Sequence, residues 1–289
     1  GTSSVTVTAT DDASFAGSAS FAWTVTNTIS VTGPDDQASV SGSAVTPVAA
    51  SATDSSPVAT LTWSATGLPA GLSIDSATGA ISGTPTTAGT SSVTVTATDG
   101  SGASDSASFS WTITNVVTVT GPDDQASVSG SAVTAVAASA TDSSPVATLT
   151  WSATGLPAGL SIDSATGAIS GTPTTAGTSS VTVTAADGSG ASDSASFSWT
   201  ITNVVTVTSP GDQTATSGSA IAPLSIAGDD SSSVATLTWS ATGLPAGLSI
   251  DSATGSISGT PTTAGTSSVT VTATDDASFA GSASFAWTV

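Results

Sequence analysis

One string, GTSSVTVTA, begins at Gly1, Gly89, Gly177 and Gly265, so the chain repeats itself every 88 residues. A second, LTWSATGLPAGLSIDSATG, recurs at Leu61, Leu149 and Leu237 with the same spacing. Self-similarity at a fixed period makes each period one structural unit, and whatever one copy folds into the others must fold into as well. Residues 29–116 and 117–204 differ only at Ile29/Val117, Ser30/Thr118, Pro47/Ala135 and Thr98/Ala186, which leaves 84 of 88 positions identical. A longer period lies above the first. Residues 1–25 and 265–289 are identical, including DDASFAGSASFAWTV, whereas the two copies between them read DGSGASDSASFSWTI. The chain is therefore a super-repeat of 264 residues, three periods of 88, with a 25-residue overlap.

Within one period, short runs of alternating apolar and polar residues are separated by turn residues every eight to twelve positions, the pattern of a sandwich or barrel. In the second copy, Val117–Thr120 reads as a first strand, followed by a turn at Gly121-Pro122-Asp123-Asp124. Residues 131–139 and 147–153 read as the next two strands, and 160–163 with 168–170 as a short hairpin. Residues 180–185 place Val181 and Val183 on one face, and the last strand places Phe197, Trp199 and Ile201 together. No segment sustains a 3.6-residue apolar pattern, and Thr and Val stand where a helix would want Leu, Glu and Lys. The fold class is all-β: tandem immunoglobulin-like antiparallel β-sandwiches of about seven strands each. The expected domains are 29–116, 117–204 and 205–289, preceded at 1–28 by the last strand pair of an incomplete domain. Two Trp per unit, such as Trp151 and Trp199, read as core residues; an exposed platform for sugar stacking is the alternative.

Composition narrows function. The chain holds 20 Asp, no Lys, Arg or His, and a net charge of −20. Side-chain salt bridges are therefore excluded, and nucleic acid and anionic membrane surfaces are poor partners because both are bound through cations. With no Cys there are no disulfides, thiolate nucleophiles or thiolate metal sites. No apolar run is long enough to span a bilayer. The chain opens at Gly1 inside the repeat pattern without a basic leader, so it reads as one window of a longer, polymeric protein.

The stretch GLPAGLSIDSATGAISGTPTTAGTSSVTVTATDGSGASDSASFSWTI, residues 67–113, resembles the Putative Ig domain of bacterial secreted and surface proteins, which is related to the dystroglycan-type cadherin-like domain. The resemblance covers every unit. It implies an Ig-like sandwich, secretion, and tandem use in stalks, adhesins and enzyme appendages, and it implies no catalytic site.

Candidate chemistry is confined to Asp, Ser and Thr. Nucleophilic catalysis needs a base beside the hydroxyl, and only Asp is present to supply one. The adjacent pairs Asp35/Asp36 and Asp123/Asp124 sit in a Gly-Pro turn, and the third unit replaces the first of the pair by Gly211. The expectation is a non-enzyme without a resident cofactor. Calcium is the remaining candidate ligand, since it takes oxygen donors from loop carboxylates. Its candidate ligands are Asp99 and Asp105, their copies Asp187 and Asp193, and Asp54, Asp142 and Asp230 on a second loop. The competing reading is that these carboxylates cap turns.

The leading functional expectation is a structural repeat of a long extracellular fibre, filament or stalk, secreted or attached to the cell surface, whose partners are copies of itself along the fibre axis. The alternatives are an adhesin-type module that binds a surface carbohydrate or a host protein by avidity, and a passive spacer.

Overall fold

The computed structural model describes residues 1–56 and 59–289, and among them every regular element is a β-strand. The chain divides into two compact units, one of residues 1–116 with 142–148 and one of residues 117–141 with 149–289. In the first unit the strands are β1 (Thr2–Thr10), β2 (Ala16–Thr24), β3 (Ile29–Thr32), β4 (Gln37–Val40), β5 (Val48–Ala49) and β6 (Ser51–Asp54). They continue with β7 (Thr62–Thr66), β8 (Leu72–Ile74), β9 (Ala80–Gly83), β10 (Gly89–Thr98) and β11 (Ser104–Thr114).

β3 to β11 make one sandwich. A four-stranded sheet in the order β4-β11-β10-β7 faces a second layer made of the pair β3-β6 and the triplet β5-β9-β8. The long hairpin β10–β11 carries the alternation that builds the core. Val93, Val95 and Ala97 on β10 and Phe109, Trp111 and Ile113 on β11 are buried, while Thr94, Thr96, Ser108 and Ser110 between them are not. From the opposite layer come Ile81, Ala50 and the half-buried Ile29, Val31 and Leu72. Both Trp of the unit are core residues: Trp63 is buried on β7, and Trp111 is fully buried with its ring centroid 6.0 Å from that of Phe109. Gly79 makes room for Trp63. Its φ is +71°, and a Cβ there would lie 2.8 Å from the indole.

The second and third repeats follow the same plan. Their four-stranded sheets join Gln125–Val128, Ser192–Thr202, Gly177–Ala186 and Thr150–Thr154 in one case, and Gln213–Thr214, Ala280–Thr288, Thr266–Thr274 and Thr238–Thr242 in the other. Their buried clusters centre on Trp151, Val181 and Trp199, and on Trp239, Val269 and Trp287.

Three details differ from the pattern read in sequence. First, one strand pair in each repeat is parallel: β4 runs alongside β11, as Gln125–Val128 does with Ser192–Thr202. The Gly33-Pro34 turn carries the chain out of the β3 sheet and into the opposite one, where β4 pairs with residues 111–114 of β11. Second, residues 131–139 are not one strand. The apolar density there attracts a strand assignment, but Gly130 at φ +72° turns the chain, and the strands are Val136–Ala137 and Ser139–Asp142. Third, the edge breaks at a buried Ala (Ala50, Ala138), and this break together with the added strand β4 gives nine ladder segments where about seven were expected.

The N-terminal hairpin β1–β2 stands outside the sandwiches. Its register, Val5 opposite Phe21 and Ser3 opposite Trp23, is that of Val269 opposite Phe285 and Ser267 opposite Trp287 in the identical segment 265–289. Burial is where the two differ: Phe21 and Trp23 are 46% and 59% exposed, against 6% and 2% for Phe285 and Trp287.

The third repeat also lacks one bond of its siblings. Trp111 Nε1 donates to Ser39 Oγ at 3.1 Å and Trp199 Nε1 to Ser127 Oγ at 3.2 Å, but Ala215 stands at the equivalent position and the buried Trp287 Nε1 has no partner. An orphaned buried donor costs about 1–3 kcal/mol. Ala215→Ser should therefore stabilise the third repeat by about 1 kcal/mol, seen as an upward shift of its urea midpoint; an unchanged or lowered midpoint would contradict this.

Candidate functional site: the inter-repeat junction

Only two residues separate the last strand of one repeat from the first strand of the next: Asn203 and Val204 lie between Ser192–Thr202 and Val205–Thr208. A junction this short would leave backbone groups stranded unless side chains took them up. Val204 N–H donates to Ser231 Oγ at 2.9 Å, and Ser231 N–H donates back to the Val204 carbonyl at 2.9 Å.

Asn203 is the centre of the junction and only 7% exposed. Its Oδ1 accepts from Ser129 Oγ at 2.5 Å and from Ser231 Oγ at 2.6 Å. Its Nδ2 donates to Asp230 Oδ1 at 2.8 Å and to Asp275 Oδ2 at 2.5 Å. One amide thus ties the foot of the second repeat (Ser129) to two loops of the third. Ser232 Oγ adds a bond to the Thr174 carbonyl at 2.7 Å. Gly130 admits the approach, because a Cβ there would sit 2.0 Å from the Ser231 carbonyl oxygen.

The same set recurs in the first unit. Ser41 Oγ donates to Asn115 Oδ1 at 2.5 Å and lies 2.8 Å from Ser143 Oγ, Val116 N–H donates to Ser143 Oγ at 2.9 Å, and Ser144 Oγ donates to the Thr86 carbonyl at 2.8 Å. At the hairpin end of that unit, Asn27 Nδ2 donates to Asp99 Oδ2 and Ser55 Oγ to Asn27 Oδ1 at 2.5 Å.

The carboxylates singled out in sequence fall into three groups. Asp99 turns onto its own loop, accepting from Ser101 N–H and Ala103 N–H at 2.9 and 2.8 Å; the Ser101 hydroxyl, more than any other partner, holds its pKa below the usual carboxylate value. Its copy Asp187 accepts from Ser189 and Ala191 in the same way. Asp105 and Asp193 face away, accepting from Val31 N–H and Val119 N–H at 2.8 Å, and those backbone donors lower their pKa values. Asp54, Asp142 and Asp230 each cap the serine two residues on at 2.7 Å and leave Oδ2 buried without a partner. Asp99 and Asp105 are therefore not brought together, whereas Asp230 meets Asp275, which was not among the sequence candidates. Among the described residues no three acidic side chains converge on a metal position. Where Asp230 and Asp275 approach, the Asn203 amide stands between them and donates to both.

With the junction described, comparison with known proteins places the chain. The Putative Ig domain family matches residues 27–114, 115–202 and 203–289. The chain belongs to that family. Each matched window opens on a junction asparagine: Asn27, Asn115 or Asn203. Among curated relatives, the "Serine-rich adhesin for platelets" of Staphylococcus aureus strain MSSA476 is 40% identical over 180 residues, which is 62% of this chain and 8% of the adhesin. Its counterpart in strain MRSA252 is 39% identical over 180 residues, 13% of that protein. The chain thus spans roughly a tenth of the relatives it matches. Among solved structures, mouse cadherin-23 EC22-24 aligns over 91% of this chain and 99% of its own at 18% identity and a TM-score of 0.32. The titin I-band fragment I67-I69 aligns over 92% and 99% at 13% identity and 0.39.

Two outcomes follow from the junction chemistry. Asn203→Ala leaves the Ser129 and Ser231 hydroxyls and two carboxylates without their shared partner, at a cost of about 2 kcal/mol. Calorimetry should then show the second and third repeats melting further apart than in the parent chain; coincident, unshifted melting would contradict the role assigned to Asn203. The second concerns pH. Donors lower the pKa values of Asp36, Asp75, Asp99, Asp105, Asp163, Asp193 and Asp251 in the folded chain. A depressed folded pKa adds stability above the unfolded value and loses it as pH falls through the folded one. Melting temperature should therefore hold from neutrality to about pH 5 and drop below about pH 4, a rise on acidification being the contrary result.

Proposed function

We propose that this array is a structural segment of an extracellular surface protein of adhesin type, a non-catalytic stalk of sandwiches that spaces or presents a binding region. The observation that carries this reading is the junction. A freely jointed chain of domains needs a solvated linker, and here the two linking residues are hydrogen-bonded into both neighbours. Chemistry agrees. The outward strand faces are Ser and Thr ladders, such as Thr94 Oγ1 with Ser108 Oγ at 2.8 Å. The relatives' printed name, an adhesin for platelets, supports the surface role and names a host cell as the class of partner for the whole protein. No helix among the described residues is long and apolar enough to cross a membrane, so attachment would come through some other part or mode.

A stalk predicts stiffness and little binding of its own. In small-angle scattering the full chain should give a narrow distribution of maximum dimension, broadened by Asn115→Gly together with Asn203→Gly. Platelets should not adhere to a surface coated with the chain above an albumin-coated control. Broad dimensions in the parent chain would sink the stalk, and strong capture of platelets would make the array itself the adhesive element.

A further inference from the structure

An indole nitrogen can only donate, and a buried one ordinarily finds an acceptor. In the first two repeats that acceptor is the hydroxyl of Ser39 or Ser127; in the third, the buried Trp287 Nε1 has none. By the same geometry the Trp287 N–H points toward Ala215. Ala215 and Trp287 both line a cleft of about 480 Å³, at the edge where the chain passes from one sheet of the sandwich to the other. The first repeat has the equivalent cleft, of about 330 Å³, with Ser39 and Trp111 in its lining. The position is therefore common to the fold, and the chemistry is what sets the third repeat apart.

The third repeat has diverged mainly around this cleft. Residues 237–265 differ from 149–177 at one position, Ser256/Ala168, yet seven of the eleven lining residues differ from their counterparts in the second repeat. Thr214, Ala215 and Thr216 stand where the second repeat has Ala126, Ser127 and Val128, and Ile221 and Leu224 replace Val133 and Val136. The result is a set of hydroxyls at Thr214, Thr216 and Ser219, larger aliphatic groups at 221 and 224, and an unanswered donor at Trp287. No carboxylate enters the lining, in a chain that carries 20.

That inventory selects a ligand. It must bring an acceptor for the indole, hydrogen-bonding groups for the hydroxyls, and apolar carbon for the aliphatic side chains. An anion meets no cation in this chain, and a cation meets no carboxylate in the cleft. A peptide adding as a strand needs unpaired backbone donors, but the N–H groups of Ala215, Gly218, Ser219 and Ile221 are already given to carbonyls. A neutral sugar presents hydroxyls around a ring whose faces are C–H, and the cleft is of a size that small ligands occupy. We propose that this cleft binds a neutral sugar residue, one hydroxyl of which takes the place at Trp287 that a serine fills in the other two repeats. The N–H is sealed beside the Ala215 methyl, so binding displaces the segment around Ala215 and completes a bond that the repeat does not make from its own residues. The site does not rest on the stalk reading. One weak sugar site does not hold a cell, so platelet capture tests the stalk and the indole tests the site.

The seven tryptophans of the full-length chain give indole N–H signals that can be followed by nitrogen-15 NMR. Glucose, galactose and N-acetylglucosamine are titrated separately to ~100 mM, a range set by the millimolar affinity expected of a ligand of about a dozen heavy atoms. The proposal expects at least one sugar to move the Trp287 signal saturably, while those of Trp111 and Trp199, already bonded to serine, stay in place. Ala215→Ser restores the internal acceptor and should weaken the response about tenfold or more. Three results would overturn the site: no movement of Trp287 with any of the sugars, equal movement of Trp111 and Trp199, or an undiminished response in Ala215→Ser. A response to the capped peptide acetyl-Thr-Val-Thr-Val-amide where every sugar fails would also overturn it, by assigning the cleft to a peptide.

Discussion

Twenty carboxylates and no side-chain cation leave this chain one way to answer its own negative charge: N–H and O–H donors. The structure is organised around that restriction. Asp36, Asp124 and Asp212 reach from the turn before β4, or its equivalents, to Ser110, Ser198 and Ala286 N–H on the last strand, fastening the parallel pair of each repeat. Asp75, Asp163 and Asp251 cap the turn of the short hairpin through Thr78, Thr166 and Thr254. Asp99 and Asp187 cap the loop before the last strand, as Asp275 does through Phe279 N–H. Where two carboxylates from different loops meet, backbone alone does not suffice, and an asparagine amide bridges them. The chain has three Asn, and all three occupy that position.

This arrangement explains how near-identical sandwiches are joined through only two residues. An amide carries two donors and an acceptor oxygen with two lone pairs, and Asn203 uses all four positions, two on carboxylates and two on serine hydroxyls. The short connection follows from the same fact. The Val204 N–H and carbonyl and all four positions of the Asn203 amide have partners within the junction. Asp230 Oδ2, buried and unpaired, is the residual cost of the arrangement.

Much of the sandwich was legible in the sequence because β-structure writes itself as alternation. Val181, Val183, Phe197, Trp199 and Ile201 fall on one face by parity alone, and all are buried. The parallel pairing of β4 was not legible, since Gln-Ala-Ser-Val is a weak strand signal that becomes a strand only against the exposed end of β11. Nor were the junction partners. Ser41 and Asn115 lie 74 residues apart, and a small polar residue in a loop reads as solvated until the fold brings its partner to it. The signal that would have found them is the restriction of Asn to one position per period.

If the asparagine junction is what makes successive repeats continuous, its amides should be as hard to open as the core beneath it. Native-state hydrogen exchange on the intact chain reads this directly. Ser129 N–H, bonded to the Thr202 carbonyl, and Ser231 N–H, bonded to the Val204 carbonyl, should exchange with opening free energies close to those of Val269 and Val271 in the buried sheet. Exchange of the two junction amides at loop-like rates, with the core still protected, would contradict the account.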